Sequence, residues 1–415
     1  MAKPKLNKPA PRPEHETILS VEQENAVMLC CDLSTLIASV TGGAGTGKTL
    51  VLGRIYEILA RRGRKVVLAA PTGRAAKRIQ ELTGIPAKTI HRLLEFPRPD
   101  EDDFGQIDPT EPKRNRFNRL DETIVIIDEA SMVAPTLYRQ LIDALPNGGV
   151  IRFFGDNNQL PPVEEGEPPF IKILKERPMI ELHHNFRSED HIVSNAMRIL
   201  RGSIPARNDR FEILYSDWPA KTLAEFATTE FAKDNRQIIM PTRRGNFGTS
   251  KANPTLQLKF NKYKGGLRLD RYDEKEAKLV IKPKDKFIWI KNDYNLDLFN
   301  GEIGTVDWVD EDEGSFGLLL GDRHVIVPPR VKTFSWYHGA HIQYDPRKQL
   351  ELGYAITTHK AQGSEFETVI YCISKGQAFL LNRRNFYTAI TRAKGHVIII
   401  ADRRAMYLAL RRAEV

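Results

Sequence analysis

The run Gly42-Gly43-Ala44-Gly45-Thr46-Gly47-Lys48-Thr49 constrains this chain more than any other feature. A glycine, four residues and then Gly-Lys-Thr is a phosphate-loop pattern, and it functions only as the turn between a strand and a helix. Both flanks fit. Residues 36–40 are apolar and predict a buried strand, and residues 50–61 have helical spacing. The glycines, Gly45 and Gly47 among them, let backbone N–H groups converge on phosphate oxygens, and the helix N-terminus adds positive potential there. Lys48 can then reach the β- and γ-phosphates of ATP, and Thr49 can hold Mg²⁺.

A phosphate loop says only that a nucleotide binds. Its partner is Ile124-Val125-Ile126-Ile127, followed by Asp128-Glu129. Four apolar residues predict a strand buried on both faces, ending in two carboxylates. In open α/β sheets ligands sit at the carboxyl ends of the strands. Asp128 is therefore the expected Mg²⁺-shell ligand, and Glu129 the expected acceptor of a proton from attacking water.

The chain has 415 residues, too many for one ordinary domain, and alternating strand and helix patterns fill most of it. The fold class is α/β. The first α/β unit is expected over residues 15–95 and 122–185, and the second over 186–241 and 345–415. Each carries an insertion. Residues 96–121 break the pattern with four prolines, an acidic half and a basic half. Residues 242–344 change character more gently. Asn300-Gly301 and Gly321-Asp322 are tight-turn signals between short apolar runs, which predicts a small β-barrel. Residues 1–14 are rich in Lys and Pro and read as a disordered tail without a signal sequence.

A net charge of +9 favours a polyanionic partner. The three cysteines, Cys30, Cys31 and Cys372, have no metal-binding spacing and suggest a reducing compartment. No apolar run approaches a membrane span, so no membrane partner is expected.

Four further blocks stand downstream: residues 155–163 (GDNNQLPPV), 183–188 (HHNFRS), 357–365 (TTHKAQGSE) and 387–394 (YTAITRAK). In this order, with the phosphate loop and the carboxylate pair, they resemble superfamily 1 DNA helicases, and more closely the RecD-like and Dda-like group called 1B. The resemblance covers nearly everything after residue 15. It implies two RecA-like motor domains with parallel sheets, each bearing an insertion, the second SH3-like. It implies a monomer that unwinds DNA from single-stranded and forked substrates, 5′ to 3′, in the cytoplasm of a bacterium or a phage-infected host, alongside replication or recombination proteins. A translocase that strips proteins without separating strands, and an ATP-gated nucleic-acid adaptor, stay open as alternatives.

The resemblance also assigns residues. Gln23 stands where the family reads adenine, Gln159 where it senses the γ-phosphate, and Glu365 where it contacts ribose or the cleft. Arg187 and Arg392 stand where two arginines reach across from the second domain. Positive charge from that side makes hydrolysis depend on cleft closure. Nucleic-acid contacts are expected from Thr72, Arg74, Thr89 and His91 on the first domain and from Thr358 and His359 on the second. Hydroxyls and imidazoles suit sequence-blind phosphate and sugar contacts, although Thr72 and Thr89 are also good helix caps. The residues 96–121 are expected to split the duplex. The block at residues 240–245, with Asn253 and Gln257, has no role assigned by these arguments.

Overall fold

A computed structural model of the chain describes residues 18–96, 111–186, 190–226, 235–269, 279–293, 295–335 and 340–413. The first α/β unit is a six-stranded sheet of β1 (Ile37–Gly42), β2 (Val66–Ala70), β3 (Ala87–Thr89), β4 (Ile124–Ile127), β5 (Val150–Gly155) and β6 (Met179–Leu182). The strand order is β3-β2-β4-β5-β1-β6, and every pairing is parallel. Strands β4 and β5 are buried along their whole length, as near-continuous apolar runs require when helices cover both faces.

Helix α1 (Val21–Cys31) begins with a capping box in which the Ser20 hydroxyl accepts the Gln23 amide and the Gln23 side chain accepts the Ser20 amide. Its C-terminal end is held by Arg152 on β5, which is fully buried among carbonyls and donates to Cys30 O and Asp32 O at 2.8 Å each. A cation collecting the last carbonyls of a helix satisfies both groups at once. Helix α2 (Lys48–Arg61) leaves the phosphate loop directly, and α3 (Gly73–Thr83) follows β2 with Thr72 as its cap.

The second unit starts with β7 (Phe211–Tyr215) and β8 (Arg236–Met240). The chain then makes a largely antiparallel excursion. A hairpin pairs β9 (Leu267–Leu269) with β10 (Leu279–Ile281). A five-stranded sheet contains β11 (Lys286–Trp289), β12 (Ile303–Asp310), β13 (Ser315–Leu320) and β14 (Arg323–Val327). A second hairpin pairs β15 (Val331–Ser335) with β16 (Ala340–Tyr344). The fifth strand is β17 (Leu350–Leu352), which lies beyond residue 344 and pairs antiparallel with β11. Three residues give too short a pattern for alternation to reveal. The chain then returns through β18 (Ala355–Thr357), β19 (Phe366–Ile373) and β20 (Ala393–Ala401) to complete a parallel sheet ordered β18-β8-β19-β20-β7.

Asn253 and Gln257 now have a place. They lie on the helix Thr249–Phe260 and, with the following Asn261, recur every four residues, so their amides share one face. Asn253 donates to Leu352 O and Ala355 O, Gln257 to Val280 O, and Asn261 to Pro283 O. Gln257 and Asn261 also meet the buried carboxylate of Asp285, which accepts the Tyr354 hydroxyl at 2.7 Å. The helix thus ties the return from the antiparallel to the parallel sheet to the turn that precedes β11. In the first unit, residues 111–121 fold back onto their own domain: Arg114 bonds Glu95 and Asp121, and Leu120 is buried. Residues 97–110, Phe104 among them, lie outside the described residues, as do residues 1–17. Among the described residues no helix is long and apolar enough to cross a membrane.

Candidate active site and nucleic-acid face

The phosphate loop joins β1 to α2, with Gly45 and Gly47 at φ +83° and +80°, a region glycine enters without strain. A Cβ on Gly47 would press on the Gln23 side-chain amide, and the positive φ strains any other residue there. Lys48 reaches back to the carbonyls of Gly42 and Gly43 at 2.7 and 2.8 Å. The segment after β6 docks on the loop: Phe186 N donates to Gly45 O at 2.9 Å, and the Asn185 amide bonds Ala44 O.

A cleft of about 500 Å³ opens at the carboxyl edge of the first sheet. From the first unit it is lined by Gly45, Gly47, Lys48, Thr49, Asp128, Glu129 and Gln159, and from the second by Glu365 and Arg392. All were singled out from sequence. Asp128 sits at the end of β4 and accepts the Glu129 amide at 2.8 Å. Burial first, then the neighbouring Glu129 charge, push its carboxyl up to about 6. Glu129 itself takes a left-handed turn at φ +52°, which swings it off the strand line. Gln159 donates to Asp156 at 3.3 Å, while its carbonyl oxygen is buried with no partner among the described residues.

Arg392 is buried, which lowers its pKa against the opposing pull of Glu129. Its own domain fixes it: Nε donates to Thr388 O at 3.2 Å and Nη2 to the Thr391 hydroxyl at 3.2 Å. A guanidinium has five N–H groups, so donors remain for the cleft. Arg187 lies outside the described residues. Gln23 is buried against the loop, with its amide nitrogen on Thr46 O at 3.2 Å, beside the cleft rather than lining it.

Two cleft residues escaped the sequence reading. Arg78, one helical turn after Arg74 on α3, forms an ion pair with Glu365 across the two units. Lys394, two residues after Arg392, reaches Glu365 at 3.8 Å. Arg78 lies one helical turn past Arg74, and Lys394 inside the block 387–394, but a lone basic residue in either place has no signature of its own.

The donor set fits Mg²⁺-ATP. Magnesium takes hard oxygen ligands, a carboxylate or two plus substrate phosphates, rather than an all-protein cage. Thr49 and Asp128 offer oxygens of that kind to the cleft, and among the described residues no cluster of three or more His, Cys, Asp or Glu forms a cage. Lys48, Arg78, Arg392 and Lys394 supply the positive charge a triphosphate needs.

The predicted nucleic-acid residues are placed differently. Thr72 and Thr89 cap helices, accepting the amides of Ala75 and Arg92 at 3.2 and 3.1 Å. Thr358 is 0% exposed, and its hydroxyl bonds Asn385 at 2.8 Å. A buried hydroxyl with protein partners offers nothing to a ligand, so Thr358 in this structure supports its segment from within. Arg74 donates to Gly301 O at 3.0 Å and lies over the Phe366 ring, and Phe299 packs on Gly73. The antiparallel sheet's loop thus rests on the start of α3. His91 is exposed, with its ring 5.0 Å from Phe96. His359 is half-buried, which lowers its pKa.

Comparison with known proteins settles the lineage. Residues 18–212 match the AAA domain family, and residues 352–400 the UvrD-like helicase C-terminal domain. The ATP-dependent RecD2 DNA helicase of Deinococcus radiodurans is 32% identical over 363 residues, 86% of this chain and 45% of that protein. The chain belongs to the RecD-like helicases of superfamily 1B. This RecD-like chain is also 27% identical to the RecBCD enzyme subunit RecD of Mycolicibacterium smegmatis, over 92% of its own length and 71% of the relative's. It spans less than half of the RecD2 relative. Its fold matches that of Pif1 helicase from Candida albicans with a TM-score of 0.59 at 22% identity, covering 94% of this chain and 98% of that one. Bacteroides Pif1 in complex with ADP-AlF3 and single-stranded DNA gives 0.57 at 22% identity, over 93% of each chain.

Proposed function

We propose that this chain is an ATP-driven, Mg²⁺-dependent DNA helicase that translocates on single-stranded DNA, 5′ to 3′, and unwinds forked duplexes. One observation carries the reading: a single cleft holds the phosphate loop, the Asp128–Glu129 pair and Gln159 of one α/β unit against Arg392 and Glu365 of the other. A nucleotide bound there would touch both units, so gain and loss of the γ-phosphate would change the distance between them. The units are RecA-like motor domains in this reading, and the antiparallel insertion is an SH3-like barrel.

Thr49 and Asp128 would hold Mg²⁺, which neutralises charge on the β- and γ-phosphates. Lys48 leaves the loop carbonyls and takes the phosphates. Glu129 accepts the proton of the attacking water, which Gln159 orients. Arg392 supplies charge to the spreading equatorial oxygens. Arg74, one helical turn before Arg78, has a carbonyl and a ring for company, and a desolvated cation so placed favours a phosphate. The relatives' names put them with DNA and with RecBCD, which supports a recombination or replication setting in a bacterial cytoplasm for this chain.

The test is strand displacement on 5′-tailed, 3′-tailed and blunt duplexes, in DNA and in RNA. Unwinding confined to 5′-tailed DNA is expected. Unwinding of 3′-tailed substrates alone would reverse the polarity. DNA-stimulated ATPase without strand separation would leave a translocase, and ATPase indifferent to DNA an adaptor.

A further inference from the structure

The motor cleft is crossed by a hydrogen bond that no step above uses. Tyr387, on the helix Arg383–Ile390 of the second unit, is 3% exposed and donates its hydroxyl to Asp156 of the first at 2.9 Å. Asp156 is fully buried. The oxygen that accepts Tyr387 also accepts the Gln159 side-chain amide at 3.3 Å, and the carboxylate's other oxygen accepts the Asn158 N–H at 3.0 Å. The orientation of Asp156 therefore sets where Gln159 points. The tyrosine is also against the phosphate loop, since a Cβ on Gly43 would stand 3.2 Å from its hydroxyl. Burial and the Asp156 charge hold that hydroxyl in its protonated, donating form.

Two further bonds run parallel to it. Leu160 N donates to the Thr388 hydroxyl at 2.9 Å, and the Gln362 amide donates to Leu160 O at 2.9 Å. The helix is tied at its other end to the 357–365 segment, where the Thr358 hydroxyl bonds Asn385. One short helix thus touches the segment expected near nucleic acid, the loop that carries Gln159, and the strand end that carries Arg392.

We infer that Tyr387 is a positioning residue that, through Asp156, aligns Gln159 only when the second unit is correctly seated, and so makes ATP turnover depend on DNA. Tyr387 does not touch the nucleotide in this scheme. It acts on kcat through Gln159 and leaves nucleotide affinity to Lys48 and Thr49. The inference rests on the helicase reading above.

The experiment uses the full chain as wild type, Tyr387→Phe, Asp156→Asn and the double variant. ATPase kcat and KM are measured with and without saturating oligo-dT, and the Kd for a fluorescent ADP analogue is measured separately. Tyr387→Phe keeps the ring and its packing, and its melting temperature serves as the control for folding. Its kcat with oligo-dT should fall about tenfold, the scale of one hydrogen bond to a charged group, with KM and ADP affinity within about twofold. The double variant should be no worse than the poorer single one, because both act on the same contact. Tyr387→Phe with wild-type kcat and wild-type DNA stimulation would overturn the inference alone, as would effects that multiply in the double variant. A wild-type ATPase that ignores oligo-dT would overturn the helicase reading and this inference with it.

Discussion

The residues of the nucleotide cleft and those expected to contact nucleic acid come from the same two α/β units, yet they behave oppositely. At the cleft, nine positions expected from sequence line one cavity. Among the residues expected to contact nucleic acid, Thr72 and Thr89 cap helices, Thr358 is buried, and Arg74 holds the loop at Gly301. Phosphoryl transfer needs particular charges at particular points, so its residues have few substitutes. Sequence-blind tracking of a backbone can be done by amides, hydroxyls and scattered cations, and a threonine that could do it is indistinguishable from one that starts a helix.

The largest effect expected is at the cleft. Lys48→Ala should remove ATP hydrolysis, on the order of 10³-fold or more, while single-strand affinity stays near wild type. Filter binding to a labelled oligonucleotide beside an ATPase assay checks both halves. A simultaneous collapse of DNA binding would show that the two regions are not separable. Arg392→Ala should lower kcat by about 10²–10³, with KM for ATP little changed, because the guanidinium is pre-fixed by Thr388 and Thr391 and acts on the transition state. A normal kcat with raised KM would make it a binding residue.

Acid should distinguish the cleft from its surroundings next. The Asp128 carboxyl stands at about 6 against an ordinary 3.8, raised by burial and by Glu129. The native state therefore binds the extra proton between these values, and the nucleotide-free protein should lose stability as pH rises from about 4 to about 6. Metal binding runs the other way, since only the carboxylate holds a cation. Mg²⁺-ADP affinity should fall about tenfold between pH 7 and pH 5 by calorimetry, and Asp128→Asn should lose that part of the slope. Equal slopes in the two proteins would remove Asp128 from the metal shell.

How much was legible follows the same division. The parallel strands announced themselves, because a strand such as Ile124–Ile127, buried on both faces, must be apolar throughout. The turn signal at Asn300-Gly301 falls between the antiparallel strands β11 and β12, while the strand Leu350–Leu352 was too short to carry a period. Arg78 and Lys394 were missed because a lone basic residue on a helix or strand has no signature until the other domain's Glu365 is placed against it. The amides of Asn253 and Gln257 had no role in the sequence because their backbone partners are 23 to 102 residues away.

The insertion after Phe96 gives a smaller and more selective effect. Phe117 is 85% exposed, with the Arg116 guanidinium 4.7 Å from its ring centre, while Arg114 anchors the segment beneath it. An anchored, exposed aromatic is suited to stack on a base at a fork. Phe117→Ala should slow unwinding about two- to fivefold on a forked duplex and leave DNA-stimulated ATPase unchanged, since base stacking is worth about 1–3 kcal/mol and a motor can pull without it. Unwinding at the wild-type rate would take this segment out of strand separation.

The smallest effect bears most directly on the contrast between the two sets of residues. Thr89 ends β3, is buried, and accepts the Arg92 amide at 3.1 Å, leaving one lone pair at most for anything outside. If capping is its whole role, Thr89→Ala should cost about 1 kcal/mol of stability, and Thr89→Ser, which keeps the oxygen, only a few tenths. Single-strand affinity should change less than twofold in both, and the slope of log affinity against log salt should not move, because no phosphate contact has been lost. Urea denaturation and a salt titration of oligo-dT binding measure the two quantities on the same protein. A Thr89→Ala variant that melts normally yet binds tenfold more weakly would make this hydroxyl a nucleic-acid contact after all. The contrast between the two sets would then reflect a closed arrangement of the insertion over α3, where Arg74 meets Gly301, rather than a different economy of residues.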